Sequence, residues 1–215
     1  MSGISNYLAN KEADFELRGQ VFTPPATIYI ALLLCSNGPI ARSTAYALGN
    51  TVSVIAADGY NHLYAVTTAG TTAAAAPAYP GKPGEAITDG TAVLTEQSDV
   101  LAAAGATLVE PAVGGYARVA VASSLANWSG TQGAGTTVAS SGTTAAISNN
   151  ITITYATPSA PWETAPAQVW GFASFDAATA GNLLRFGGLG ADQIINTGNG
   201  VSFAPGQLVF HLDAR

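Results

Sequence analysis

The chain has 215 residues, of which only 9% are charged, with 7 basic residues against 13 acidic ones. That length holds one large β domain or two small ones, and a charge content far below the roughly 25% of an average soluble domain points to surface hidden against neighbouring subunits, the alternative being a surface of Ser, Thr, Asn and Gly that is polar without charge. The basic residues are scattered singly, which excludes a nucleic-acid footprint and a polybasic membrane anchor.

The opening Met1-Ser2-Gly3-Ile4-Ser5-Asn6 lacks the charged and apolar regions of a secretory signal. Residues 1–19 carry nearly all the helical signal. Ser2 or Ser5 is the expected N-cap, Ile4, Leu8 and Phe15 share one face, and Gly19 is the expected stop. Thr23-Pro24-Pro25 then forces extended backbone. Residues 26–35 read as a buried strand. The apolar run from Ile28 to Cys35 is the longest in the chain and is far short of the about 20 residues needed to span a bilayer. Neither a cleaved signal nor a membrane span is therefore expected. Cys35 is the one cysteine; it reads as a buried thiol, and the absence of disulfides fits folding in a reducing cytosol.

Residues 37–53 and 97–113 are rich in Ala, Gly and Ser and read as loops. Between them, residues 54–96 form a distinct block with turns at Asp58-Gly59 and Asp89-Gly90 and strands from Leu63 to Thr68, near Gly84 to Ile87, and from Thr91 to Thr95. Pro77, Pro80 and Pro83 make residues 73–84 an extended surface loop. The block is expected to be a small β module inserted into a core domain made of residues 1–53 and 97–215.

From residue 113 to 213 the chain is a run of short strands: Ala117 to Ala122, Ala145 to Ile147, Ile151 to Tyr155, Val169 to Phe175, Asn182 to Gly187, Gln193 to Ile195, and Gln207 to Asp213. Asn149-Asn150, Gly181-Asn182, Gly198-Asn199-Gly200 and Pro205-Gly206 punctuate them. The expected fold is mainly β: an N-terminal helix plus a β-sandwich or jelly roll carrying the inserted module. In the last strand Leu208, Phe210 and Leu212 alternate with polar neighbours, a half-buried pattern.

Chemistry-bearing residues are sparse. Of the two histidines, His62 stands beside the Asp58-Gly59 turn and His211 pairs with Asp213 on one strand face, a polar pair rather than part of a triad. No Gly-x-Ser-x-Gly elbow is present. Two His and one Cys, far apart, make no zinc motif, and the aspartates Asp58, Asp89, Asp99, Asp176 and Asp192 are isolated from one another. Glu163 beside Trp162 and Asp176 beside Phe175 resemble a glycosidase pair, but both lie in turn-like contexts. Gly187-Gly188-Leu189-Gly190 lacks the end of a phosphate loop and reads as a tight β connection. Asn127-Trp128-Ser129 and Asn150-Ile151-Thr152 match the glycosylation sequon by chance. No catalytic residue, metal site or cofactor is expected. Trp170 reads as core. Trp128 and Trp162, in turn-rich surroundings, are expected interface residues together with Ile4, Leu8 and Phe15, and Tyr64 and Tyr79 are expected on an outward binding loop.

Four stretches resemble a family of tailed-bacteriophage virion proteins labelled tail-fibre-like or Gp80-like. They are Met1 to Leu8 followed by Leu17-Arg18-Gly19 and Phe22 to Leu32; Gly114-Gly115-Tyr116-Ala117-Arg118-Val119-Ala120-Val121; Gly171 to Leu184; and Val201 to Leu208. Residues 54–96 resemble a small β module that recurs in phage structural proteins, on Tyr64 to Gly70, Ala76 to Pro80 and Ile87 to Thr91. The resemblance implies a non-enzymatic virion protein, made in the host cytoplasm, whose partners are other copies of itself, with a trimer expected, and other virion proteins. A compact acidic chain without shaft-like repeats suits a capsid decoration (cement) protein bound to the major capsid protein. The alternative is a tail-associated fibre or receptor-binding protein that recognises a host-surface glycan.

Overall fold

A computed structural model describes residues 2–103 and 108–211. In chain order the elements are β1 (Ser2–Ile4), α1 (Asn6–Arg18), β2 (Thr27–Cys35), β3 (Ala45–Tyr46), β4 (Thr51–Ile55), β5 (Asn61–Thr68), β6 (Gly70–Thr71), β7 (Ala86–Asp89), β8 (Ala92–Glu96), α2 (Ser98–Ala103), β9 (Val119–Ala122), β10 (Ala146–Ser148), β11 (Ile153–Thr154), β12 (Gln168–Phe175), β13 (Leu183–Gln193), β14 (Ser202–Phe203) and β15 (Val209–His211). The fold is mainly β, as expected, with an N-terminal helix.

The body is an antiparallel five-stranded sheet in the order β1-β13-β12-β2-β9. Its middle strands are covered on both faces, which is why they read as continuous apolar runs. In β2, Ile30 and Leu32 point to one side and Ala31, Leu33 and Cys35 to the other; in β12, Val169 and Phe172 oppose Trp170, Ala173 and Phe175. The first side packs against the two-stranded ladders β10·β15 and β11·β14, through Ile153, Tyr155, Leu208 and Phe210. The opposing layer is thus two separate ladders, not one continuous second sheet. The other side packs against α2 and β5, through Leu101 and Leu63.

A second sheet, β4-β5-β8-β7, has its own core of Val52, Val54, Val66, Leu94, Tyr64 and Tyr79, and the β3·β6 ladder lies beside it. The Asp89-Gly90 turn is the β7–β8 hairpin, with Gly90 at φ 65°. Asp192 links this sheet to the body: it accepts hydrogen bonds from Ser53 Oγ at 2.7 Å, Asn61 Nδ2 at 2.9 Å and Cys35 Sγ at 3.5 Å. Cys35 is buried as expected, and burial, then the Asp192 carboxylate, push its thiol up to about 12.

Four local expectations are corrected. Ile4 lies on β1 opposite Arg185, not on the helix, because Ser5 is the N-cap: Leu8 N–H donates to its Oγ at 3.1 Å. Residues 37–53 contain β3 and β4, and residues 97–113 contain α2, so neither stretch is simply loop. Gly187-Gly188-Leu189-Gly190 is no connection but the middle of β13. A Cβ on Gly188 would fall on the backbone carbonyl of Asn61, so glycine there lets β5 approach the body. The segment Gln193 to Ile195 is not a separate strand; β13 runs unbroken to Gln193.

Candidate functional site

The strongest surface feature is built on α1. The helix is closed by Gly19 at φ 65° and held to β13 by Arg185, whose Nη2 lies 3.4 Å from Glu12 Oε1. Burial pushes the Arg185 guanidinium down, with Glu12 opposing that shift. The N-terminal half of α1 docks on its own body through Leu8, while Phe15 is 58% exposed, Leu17 83% and Val21, just past the helix, 91%. By helical spacing Phe15 continues the side of Leu8, whereas Leu17, two positions on, lies on the opposite side of the helix.

Beside it lies an almost wholly apolar groove of about 470 Å³, lined among others by Leu8, Phe22, Pro24, Leu125, Trp128 and Phe210. Leu125 at its lip is itself exposed. Trp128 packs on Phe210 at 5.9 Å between ring centroids, and its buried indole N–H has no hydrogen-bond partner among the described residues. On the Leu8 side of the helix, Phe15 and the groove leave apolar surface in water, the usual mark of a contact site.

The structure divides the residues singled out from sequence. Phe15 stands on this face; Leu8 and Trp128 line its groove but are buried, Trp128 at 9% exposure. Trp162 is corrected outright. At 1% exposure it is a core residue, packed edge-on against Tyr116 and Tyr155 at 5.2 and 5.8 Å, with its N–H on Gly114 O at 3.2 Å. Tyr64 and Tyr79 are corrected too: both are buried, 5.4 Å apart edge to face, inside the small sheet's core. Burial and then its hydrogen bond to Asp89 push Tyr79 up to about 12. The turn-rich segments around these aromatics fold over them, and a turn's polarity says nothing about what lies beneath it.

The chemically suggestive residues resolve into internal supports. Glu163 is buried, with Ile195 N–H on one carboxylate oxygen and no partner on the other. Burial pushes it above the usual carboxylate range, against the Ile195 bond. Asp176 instead caps the Gly181-Asn182 turn, accepting from Asn182 N at 2.6 Å and Nδ2 at 2.7 Å. Asp213, the expected partner of His211, is outside the described residues. Among the described residues no three His, Cys, Asp or Glu are grouped to hold a metal, and no helix is long and apolar enough to cross a membrane.

Two of the stretches that carried the family resemblance meet in space. Arg118 lies 3.5 Å above the Phe175 ring, donates to Ala177 O and Ala180 O at 2.9 and 2.8 Å, and pairs with Glu110 at 2.6 Å. Two residues earlier, the Tyr116 hydroxyl accepts from Leu32 N at 2.8 Å and donates to Glu110 at 3.0 Å. The Gly114-to-Val121 stretch thus staples β2 to the loop after β12, a role that only sequence-distant contacts reveal.

A second groove, of about 560 Å³ and with no charged residue in its lining, runs along the end of β13 past Gln193, Asn199, Ser202 and Gln207. Comparison with known families gives one match: the model described as podophage GP4 fiber I protein gp80 fits residues 55–211, more than half of the chain. It begins at the last residue of β4 and covers β5 to β15, and it leaves out β1, α1, β2, β3 and the rest of β4. No curated protein matches the chain.

Proposed function

Because the chain belongs to the podophage GP4 fiber I protein gp80 family, which makes it a structural component of a phage particle, we propose that it is a non-enzymatic capsid decoration protein anchored by the α1 face. The observation that carries the reading is the uncovered apolar surface of Phe15 beside a ready apolar groove. Burying apolar surface gains roughly 25 cal/mol per Å², and a neighbour seated on the groove would cover Phe15 and Leu125 with it. The major capsid protein is the proposed neighbour, with other copies of this chain completing the contact as a trimer. A compact, acidic, repeat-free chain suits a shell better than a shaft, and weak contacts repeated over a lattice add up.

The second reading places the protein on the tail as a fibre component, with which the family's description is equally compatible. In that reading a host-surface glycan sits in the uncharged groove along β13, since Tyr64, Tyr79 and Trp162 are buried.

Cryo-electron microscopy of the intact particle separates the two: density for this chain over the capsid shell supports decoration, and density only at the tail overturns it. The paired change Phe15→Ser with Leu17→Ser is expected to empty those sites while altering stability by no more than about 0.5 kcal/mol, as for exposed substitutions generally. Undiminished occupancy of the double variant on purified particles removes α1 as the anchor.

A further inference from the structure

His62 is fully buried on β5, and each of its ring nitrogens faces a carboxylate. Nδ1 lies 3.0 Å from Glu96 Oε1 on β8; Nε2 lies 3.0 and 3.2 Å from the two oxygens of Asp58, in the β4–β5 turn. The carboxylates are already acceptors for other groups. Ser98, at the start of α2, donates its N–H to Glu96 Oε2 at 2.8 Å and its hydroxyl to Oε1, and Tyr60 N–H donates to Asp58 Oδ1 at 3.0 Å. A neutral imidazole has one donor and one acceptor nitrogen. In this setting it would press a lone pair against a carboxylate oxygen, either the fully buried Glu96 or the partly exposed Asp58, with its own ring nitrogen buried, where an unpaired polar group is costly. Only the imidazolium satisfies both sides.

Asp58 also seats a loop. Its side chain lies under Gly81, where a Cβ would come within 2.8 Å of Asp58 Cγ, and the neighbouring Tyr64 hydroxyl donates to Pro80 O. Ala57 N–H donates to Tyr79 O at 2.9 Å from the same turn. The other titratable groups bearing on this spot are Tyr64 itself, raised by burial first and then by Glu96 and Asp58, together with Tyr79 and Glu85. These groups are acidic, and the cations nearby pair elsewhere, Lys82 lying 4.0 Å from Glu85 and Arg42 bonding Asp89 and the Tyr79 hydroxyl.

We propose that His62 is a proton-operated clasp: charged, it holds the Asp58 turn and the Pro80-Gly81 segment of the exposed β6–β7 loop against the small sheet, and on losing its proton it releases them. The phage particle would thereby present this loop in a closed or an open form according to pH.

The test is nuclear magnetic resonance on the intact chain with 15N-labelled histidine. In the closed form both His62 ring nitrogens are expected to carry hydrogen. As the pH rises through the ring's titration, the exchange protection of the Ala57 and Tyr60 amides, corrected for intrinsic rates, is expected to fall at least tenfold. The Tyr155 amide of the body, bonded to Val201 O at 2.9 Å, is expected to hold. His62→Gln is expected to remove the pH dependence at Ala57 and Tyr60. A singly protonated ring in the fully protected protein overturns the proposal, as does unchanged protection through the ring's titration. Both outcomes are read on the unmodified protein, so they stand even where the variant does not fold.

Discussion

The two sheets of this molecule are held by different means. The body buries Trp162, Trp170, Phe172, Phe175, Phe186 and Phe210 on the two faces of one sheet. The small sheet buries mostly valine, leucine and alanine with three tyrosines, and adds charge: Asp89, whose side chain is fully covered, takes Arg42 Nη1 at 2.7 Å, Ala73 N–H at 2.8 Å and the Tyr79 hydroxyl, and His62 lies between Glu96 and Asp58. Hydrophobic burial is non-directional and scales with area. A small unit has less area to bury, and its long β6–β7 loop needs fixed anchor points. Charge-assisted bonds supply direction at a desolvation cost. The body is thus expected to depend on volume, and the small sheet on pairing and pH.

The largest effect that tests this contrast is Trp162→Ala. Removing a fully buried ring from between Tyr116 and Tyr155, together with its bond to Gly114, is expected to destabilise by about 4 kcal/mol in denaturant unfolding. A loss under about 1 kcal/mol would break the account of the body. Next is Asp89→Ala, expected to cost about 3 kcal/mol because Arg42 and Tyr79 lose their shared acceptor. Burial pushes Asp89 upward, but the Tyr79, Ala73 and Arg42 bonds outweigh it and hold the carboxyl below its ordinary value. Its stabilisation is therefore present above about pH 4, the unfolded value, and is lost as pH falls through the lower folded one. Asp89→Asn is expected to flatten acid unfolding of the small sheet, followed by proteolysis of the β6–β7 loop against pH. An unchanged acid limb would remove Asp89 as its cause. The smallest effect runs the other way. Glu163 is the body's one buried carboxylate with an unpartnered oxygen among the described residues, and its folded value is raised. Stability it withholds therefore grows as pH rises above about 4.3. Glu163→Gln is expected to add about 1 kcal/mol at neutral pH and to flatten that slope; a loss of stability at neutral pH would show the carboxylate has a partner.

Legibility in the sequence follows the range of the interaction that each feature depends on. The helix stop at Gly19, the turns at Asp58-Gly59 and Asp89-Gly90, the β2 run and the burial of Leu208 and Phe210 are where the sequence places them. Each rests on backbone preference or on side-chain alternation within a few residues. The strand β3 was hidden because two residues, Ala45 and Tyr46, carry little strand signal alone and become a strand by pairing with β6, whereas β4 has local signal in Thr51, Val52, Val54 and Ile55 but straddles the boundary drawn at residue 54. Of the contact face, α1 and Phe15 were readable from helical spacing, whereas the groove was not, since Pro24, Trp128 and Phe210 meet there from three distant segments.

By itself the sequence determined the mainly β class, the N-terminal helix and the low charge, because periodicity, turn chemistry and composition are local or global sums that need no coordinates. Only the tertiary structure decided which aromatics face water and which polar residues are paired. Trp128, Trp162, Tyr64 and Tyr79 lie in segments whose own composition looks exposed, and they are buried by residues from elsewhere in the chain. His62 and Glu96 are 34 positions apart, and Cys35 and Asp192 are 157 apart. Contacts of that range are set by sheet order and packing, and no window along the chain contains them.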